Sequence, residues 1–367
     1  MELFEQMASM GHERVVVCSN PEVGLKAIIA VHSTVLGPGL GGVRMWPYES
    51  FDAAMIDALR LARGMTYKAA ATGLNLGGAK AVILGDSKKD KTEELLRGFG
   101  RYVDSLGGLY ITAEDVGMRM QDMEVILAET RWVTGASEAH GGSGDPSPVT
   151  AYGVHQGIKA AADWAFGDGS LAQRRVAIQG LGSVGRYLAE GLLRDGASVV
   201  GCDVDPEAVE KGRQLGVEIV DPEAIVETEC DIFSPCALGA SLNPETIPRL
   251  RCAVVAGGAN NQLADEDRDG RALAARGILY APDFVINAGG LINVYNELTG
   301  YNRERALLTT RNIYDNVTRI FEVAKEQKVP THVAATHLAD ERIRRMKGLG
   351  SRQWSRFTGG RGVHIHT

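Results

Sequence analysis

Between residues 174 and 205 the chain reads RRVAIQ, then GLGSVG, then a segment in which Val184, Tyr187, Leu188, Gly191 and Leu192 recur at helical spacing, then SVVGCDVD. A short apolar run leads directly into clustered glycines and a helical stripe. The stripe ends at Asp195-Gly196 and a second apolar run follows. That order is the strand, tight turn, helix, strand unit of a parallel sheet. Gly180, Gly182 and Gly185 fit G-x-G-x-x-G, with Ser183 and Val184 inside the motif, and Asp203 lies 23 residues past Gly180 at the end of the second strand. In that setting the glycines allow a sharp turn and let a pyrophosphate approach a helix N-terminus, while the carboxylate reaches ribose hydroxyls. The spacing predicts a dinucleotide site. A carboxylate at 203, followed by Asp205 and Glu207 with no base close by, repels a 2′-phosphate, so NAD is expected rather than NADP.

The runs CDIFSPCA, RCAVVAG and ILYAPDFVIN read as further parallel strands, separated by helical segments such as EDRDGRALAARG. Before them, strands are expected at 14–18 and 25–32, and a helix after the N-cap Thr92, with Leu95, Leu96, Phe99, Tyr102, Val103 and Leu106 on one stripe and Gly107 as its stop. The expected fold is α/β with two domains sharing a cleft. Residues 1–139 form an N-terminal α/β substrate, catalytic and oligomerisation domain, and 140–325 a Rossmann-type doubly wound dinucleotide-binding domain. Residues 326–367, with HVAATHLADERIRRM as a helix after Pro330, return to the first domain. HGGSGDPSPVT, just after Ala139, is the hinge candidate.

Composition narrows the function. Glycine supplies 45 of 367 residues, well above the usual ~7%, while proline is ordinary, so the excess belongs inside folded structure. A net charge of −7 argues against nucleic-acid or membrane-surface binding. The basic end of the chain (Arg342, Arg344, Arg345, Lys347, Arg352, Arg356, Arg361 against Glu341) reads as a solvated helix or one packed on the acidic body or on a second subunit. Five cysteines without a C-x-x-C, and histidines without H-E-x-x-H, suggest no disulfide framework and no metal site. No signal peptide and no membrane span is legible, so a soluble cytoplasmic protein is expected.

A dinucleotide unit leaves the substrate open, and the first 140 residues must supply the reacting groups. Lys68 closes RGMTYK, after a helix starting near Asp52, and Lys80 follows the glycine turn of NLGGAK and precedes the apolar run AVIL. A lysine at such a place, if partly desolvated, has a lowered pKa suited to proton transfer. A plain surface role is the alternative for each. Asp115 in YITAEDVG stands at an expected strand end, where α/β catalytic groups gather, with Glu114 as its rival and a helix cap as the alternative role.

Together these blocks resemble the Glu/Leu/Phe/Val amino-acid dehydrogenases, in particular the leucine dehydrogenase branch. The resemblance runs through GPGLGGVRM, MTYK, NLGGAK, TAEDVG, GGSGDPSPVTAYGV, GLGSVG, PCALGA, AGGANNQL and INAGGLINV, spread over nearly the whole chain. It implies NAD-dependent oxidative deamination of an L-amino acid to a 2-oxo acid and ammonium, and the reverse, by a homo-oligomer, dimer or octamer. On the matching positions, Lys68 with backbone near Gly77 and Gly78 would hold the substrate carboxylate. Lys80 would activate water, and Asp115 would shuttle protons to the nitrogen. Thr150, Asn260, Asn261 and Asn287 would sit at the nicotinamide end, Asn261 also touching substrate, and Cys236 and Ala237 of PCALGA would border the cofactor. Leu40 stands where glutamate enzymes of the family carry a lysine, so a γ-carboxylate would be buried unpaired. Leu40, Gly41, Ala113, Leu291 and Val294 then line an apolar pocket for a branched chain. Phenylalanine or tryptophan is the alternative substrate, and coupling of 2-oxo acids in secondary metabolism the alternative chemistry. Ala79 for the usual glycine, Leu291 for valine and Asn260-Asn261 for Asp-Asn are departures from the family. Leu3, Phe4, Met7 and Met10 are candidate interface residues. The glycines at 41–42, 77–78, 180–185, 257–258 and 289–290 are expected where backbone approaches a ligand.

Overall fold

The computed structural model of the chain describes residues 2–237 and 239–348. His364, His366, Gly359-Gly360 and the arginines at 352, 356 and 361 lie outside the described residues. The chain divides into two compact units. The first holds the residues up to Asp145, the segment Val294–Arg303 and the described residues from Ala339 onward.

The first unit contains α1 (Leu3–Met10), β1 (Arg14–Asn20), β2 (Leu25–Ser33), β3 (Gly39–Leu40), β4 (Val43–Trp46), α2 (Phe51–Ala71), β5 (Gly77–Leu84), α3 (Glu93–Ser105), β6 (Tyr110–Ile111) and α4 (Met120–Leu127). The sheet order is β1-β2-β5-β3-β6, with β4 also on β5. β1, β2 and β5 run antiparallel in turn, whereas β3 and β4 lie parallel to β5. With neighbours on both edges, β5 (GGAKAVIL) is buried along almost its whole length. Lys80 therefore stands inside a central strand, and Gly77-Gly78, expected as a turn, are strand residues.

The reason is α2. Ser50 caps it by accepting from Ala53 N, and its buried face is mostly small: Ala54, Ala58, Ala62, Thr66, Ala69 and Ala70 beside Met55 and Leu59. Small residues bring the helix backbone down onto β5, so a Cβ at Gly78 would lie 2.1 Å from Thr66 N, while one at Gly77 would lie 2.0 Å from Ser33 O at the end of β2. α2 also continues past Lys68, which sits in its last turn rather than after its end. On another part of the unit, Leu95, Leu96, Phe99 and Val103 of α3 join Met123 and Ile126 of α4 in the core around β2 and β5. Thr92 caps α3, accepting from Leu95 N at 3.2 Å, and the helix stops before Gly107 at φ 57°.

The other expectations for this unit resolve locally. Leu3, Met7 and Met10 pack on the α2 side of the core, while Phe4 is 83% exposed. The basic residue Arg342 donates to the carbonyls of Ala69, Ala70 and Gly73 and to Asn75 Oδ1, closing the C-terminus of α2. Glu297 accepts from Gly135 N and Ser143 N, at 3.1 and 2.9 Å, which ties the segment 294–303 to the loops near 135–143.

The second unit spans Pro146–Asn293 and Glu304–Leu338. Its region of the chain carries α5 (Ser147–Phe166), β7 (Arg175–Gln179), α6 (Ser183–Arg194), β8 (Ser198–Cys202), α7 (Pro206–Leu215), β9 (Glu218–Ile219), β10 (Ile232–Pro235), β11 (Val254–Val255), α8 (Glu266–Ala275), β12 (Leu279–Tyr280), α9 (Asp283–Ile286), α10 (Gly289–Tyr295), α11 (Arg303–Arg311), α12 (Ile313–Gln327) and α13 (Thr331–Lys347). The sheet is parallel throughout, in the order β12-β11-β10-β7-β8-β9. The strand order reverses between β7 and β10, and ligands of such sheets bind beyond the carboxyl ends of strands at that switch point. The run ILYAPDFVIN is a correction. Only Leu279 and Tyr280 are strand; Pro282 then accepts from Val285 N and Ile286 N and starts a helical turn. A short buried apolar run carries no period that separates strand from helix.

Candidate active site

In the first unit, Lys80 and Asp115 meet: Lys80 Nζ lies 3.0 Å from Asp115 Oδ2, with the lysine side chain 6% exposed. Arg44 on β4 donates from Nε to the same oxygen at 2.9 Å, and from Nη1 to Asp57 Oδ2, also at 2.9 Å. Tyr48 OH donates to Asp57 Oδ2 at 2.6 Å. The strands explain the convergence. Ala30 on β2 faces Lys80, β4 runs beside β5 with Arg44 opposite Val82, and Val43 N bonds Ala113 O, which brings the chain before Asp115 alongside. Burial lowers the Lys80 pKa from its ordinary value, with the Asp115 charge opposing that shift. Burial alone would raise Asp115, but the charges of Lys80 and Arg44 outweigh it and hold the carboxyl below its ordinary range. The result is a low-dielectric carboxylate next to an ammonium that releases its proton more readily than a surface lysine.

Asp115 caps no helix, since α4 begins at Met120 with Arg119 as its N-cap. Its neighbour Glu114 is exposed. Lys68 is half-buried on α2, two residues beyond the Thr66 that crowds Gly78. Leu40, 1% exposed, Gly41 and Ala113 lie on adjacent chains, linked by Gly41 N to Ile111 O and Val43 N to Ala113 O. Val294 is half-buried. The glycines here have a cause other than the one expected: a Cβ at Gly41 would fall 1.7 Å from Ala79 O, and one at Gly42 2.5 Å from Glu114 O. The space is taken by the protein's own backbone. Ala79 is accommodated as a buried strand residue whose methyl covers Gly39.

In the second unit, Gly180 follows β7 at φ 101°, and a Cβ there would meet Ala237 N at 2.8 Å. Gly185 is pressed against Gly180 O. Gly182 differs: nothing lies within 4 Å of its Cβ position, and as N-cap of α6 it offers no side-chain cap. Backbone N–H groups at this helix start, beside Ser183 and Val184, are the arrangement that receives a pyrophosphate. Asp203 is fixed at the end of β8, accepting from Leu181 N at 2.7 Å and Asp205 N at 2.9 Å. Cys236 Sγ accepts from Gly258 N, and Gly258 packs on Val184. Asn287, 5% exposed, donates to Asn260 Oδ1 and Ala259 O, at 2.8 and 3.2 Å. Its own Oδ1 is buried without a hydrogen-bond partner among the described residues. A buried orphan acceptor of this kind fits a carboxamide donor. Thr150 donates to Pro146 O and lies against Gly289 and Gly290 at the start of α10. Asn261 is exposed at φ 50°, and Leu291 is buried. Among the described residues no group of His, Cys, Asp or Glu could hold a metal ion, and no helix is long and apolar enough to cross a membrane.

Sequence reasoning missed Arg44, Asp57 and Tyr48. The available signal was a single charge in the otherwise apolar strand VRMW; Asp57 had none, because only the fold brings α2 to that strand.

Comparison with known proteins gives the same assignment along the chain. Residues 12–132 match the Glu/Leu/Phe/Val dehydrogenase dimerisation domain, and 141–209 with 204–348 the Glutamate/Leucine/Phenylalanine/Valine dehydrogenase domain. A leucine dehydrogenase of Thermoactinomyces intermedius is 54% identical over 348 residues, 95% of each chain. An L-tryptophan dehydrogenase of Nostoc punctiforme is 49% identical over 95% of this chain and 98% of its own. A crystal structure of L-tryptophan dehydrogenase from Nostoc punctiforme superposes with a TM-score of 0.85 at 47% identity, covering 94% of this chain and 99% of that one. With its buried lysine–aspartate pair and its parallel dinucleotide-type sheet, this chain belongs to the Glu/Leu/Phe/Val dehydrogenase family.

Proposed function

We propose that the protein catalyses the NAD-dependent oxidative deamination of a branched-chain L-amino acid to its 2-oxo acid and ammonium, and the reverse reductive amination. The observation that carries this reading is the buried Lys80–Asp115 pair, 3.0 Å apart. Lys68 and the backbone near Gly77 and Gly78 bind the substrate carboxylate. Lys80, whose proton is loosened by burial, gives that proton up and, as the neutral amine, takes one from the water that attacks the imine carbon. Asp115, held ionised, passes protons to and from the nitrogen. Bound NAD supplies the hydride acceptor in deamination and, reduced, the donor in amination. Gly180, Gly182, Ser183, Val184 and Gly185 take its pyrophosphate and Asp203 its ribose; Cys236 and Ala237 border it; Thr150, Asn260 and Asn287 take its nicotinamide end. The open space at Gly182 and the orphan Asn287 Oδ1 support that fit.

Leu40 at the position of a cation, with Gly41, Ala113, Leu291 and Val294, sets an apolar side-chain preference, and Asn261 adds a substrate contact. We place the enzyme in the cytoplasm as a homo-oligomer, dimer or octamer, without nucleic acid or membrane. Five free cysteines and the match to a dimerisation domain support those assignments. The test is NADH formation with a panel of L-amino acids. Leucine, valine and isoleucine are expected to lead and glutamate to be inert. Leadership by tryptophan or phenylalanine would move the substrate assignment, and no turnover of any apolar amino acid would remove it.

A further inference from the structure

Both cations that meet Asp115 use one atom. Lys80 Nζ and Arg44 Nε lie 3.0 and 2.9 Å from Oδ2. Behind Arg44 the chain continues: Nη1 reaches Asp57 Oδ2, which also accepts from Tyr48 OH. Arg44 is therefore held at two edges of its guanidinium by carboxylates on different elements, one on α2 and one in the loop after β6. The Asp115 side chain also lies close over Gly42, between β3 and β4, since a Cβ at Gly42 would come within 2.9 Å of Asp115 Cβ. Two cations face two carboxylates here.

We propose that Arg44 is a positioning residue for Asp115, kept in place by Asp57 and Tyr48, so that Asp115 turns Oδ2 to the two cations and presents Oδ1 to the substrate nitrogen. The inference rests on the reaction proposed above. Arg44 does not touch substrate; it acts through the carboxylate. Removing its charge leaves two carboxylates to share one ammonium. The groups acting on Asp115 are Lys80 on β5, Arg44 on β4, Tyr110 on β6 and Glu114 beside it, while Asp57 on α2 and Tyr48 after β4 act on Arg44 behind it. Arg44 lowers the proton affinity of both Asp115 and Lys80, so without it both hold protons to higher pH.

The test uses the full chain and its Arg44→Met, Arg44→Lys, Asp57→Asn and Tyr48→Phe variants, with leucine and NAD across a pH series and a thermal melt for each. Arg44→Met is expected to lower kcat by about 10²-fold, to change KM for leucine much less, and to move the acid limb of kcat to higher pH. Arg44→Lys keeps the charge without the planar fork, so the limb returns toward its original place while kcat recovers only in part. Asp57→Asn and Tyr48→Phe are expected to lower kcat without moving the limb as far. A folded Arg44→Met with an unmoved limb, or an effect confined to KM, overturns the proposal. If Arg44→Met does not fold, Arg44→Lys and Tyr48→Phe decide, and wild-type kcat and profile in both overturn it. If the wild type turns over no amino acid, the proposed reaction falls. The positioning is then read from carbon NMR titration of the Asp115 carboxyl, where equal midpoints in wild type and Arg44→Lys, against a raised one in Arg44→Met, are expected and no difference overturns it.

Discussion

The two units build their functional ends from opposite materials. The first concentrates ionised side chains in a sheet: Lys80 sits in a buried central strand and is matched by Asp115, with Arg44 and Asp57 behind. The second relies mainly on backbone and neutral groups, with a bare helix start at Gly182 and an unpaired amide oxygen on Asn287, and Asp203 as its one carboxylate among the residues assigned to the cofactor. Proton transfer requires groups that change charge, and burying those requires counter-ions. Holding a dinucleotide requires space and oriented dipoles, which cost little to keep empty. Damage to the first kind of site should therefore be severe and to the second mild.

The largest effect is expected for Lys80→Ala, which removes the proposed base and one of the two cations that pair with Asp115. kcat should fall on the order of 10³-fold or more with KM for NAD nearly unchanged, as read from initial rates. A parallel loss in cofactor binding would break the division between the units. Next comes a pair of glycines. Gly78→Ala forces a Cβ to within 2.1 Å of Thr66 N and should cost more than about 3 kcal/mol in urea unfolding. Gly182→Ala meets open space and should stay within about 0.5 kcal/mol, so equal losses would erase the contrast.

A third prediction asks whether the first unit tolerates a buried base only when it is neutral. His32 Nε2 bonds Met10 O and Nδ1 bonds Thr66 Oγ1, and burial first, then His12, lowers its pKa from 6.5 to about 4. The unfolded chain binds the proton first, so stability is complete above pH 6.5 and is lost as pH falls toward 4. The loss should reach about 3 kcal/mol. His32→Gln should flatten that acid slope in denaturation midpoints, and an unchanged slope would reject the assignment. The smallest effect is expected for Asn287→Ala, about a tenfold rise in KM for NAD with kcat little changed.

The legible parts of this protein were the local ones. The GLGSVG turn, its helix and Asp203 belong to one strand–helix–strand unit, so spacing alone located them. Lys80 and Asp115 were visible as candidates, but not their meeting, which depends on β3 and β6 bringing one beside the other. Arg44, Asp57 and Tyr48 stayed hidden because their roles exist only in the assembled sheet and helix. Gly77-Gly78 misled for a physical reason: glycine marks crowding as readily as flexibility, and here the end of β2 crowds Gly77 and α2 crowds Gly78. ILYAPDFVIN misled because continuous burial erases periodicity.

The Arg342 contacts bear on how the chain is made. α2, which carries Lys68, has its last carbonyls closed by a residue some 270 positions later. A ribosome releases the sheet and α2 long before it reaches Arg342, so the first unit emerges with this helix unsealed while the whole second unit is being synthesised. Domains generally fold as units in order of emergence. Here the unit begun first is finished last.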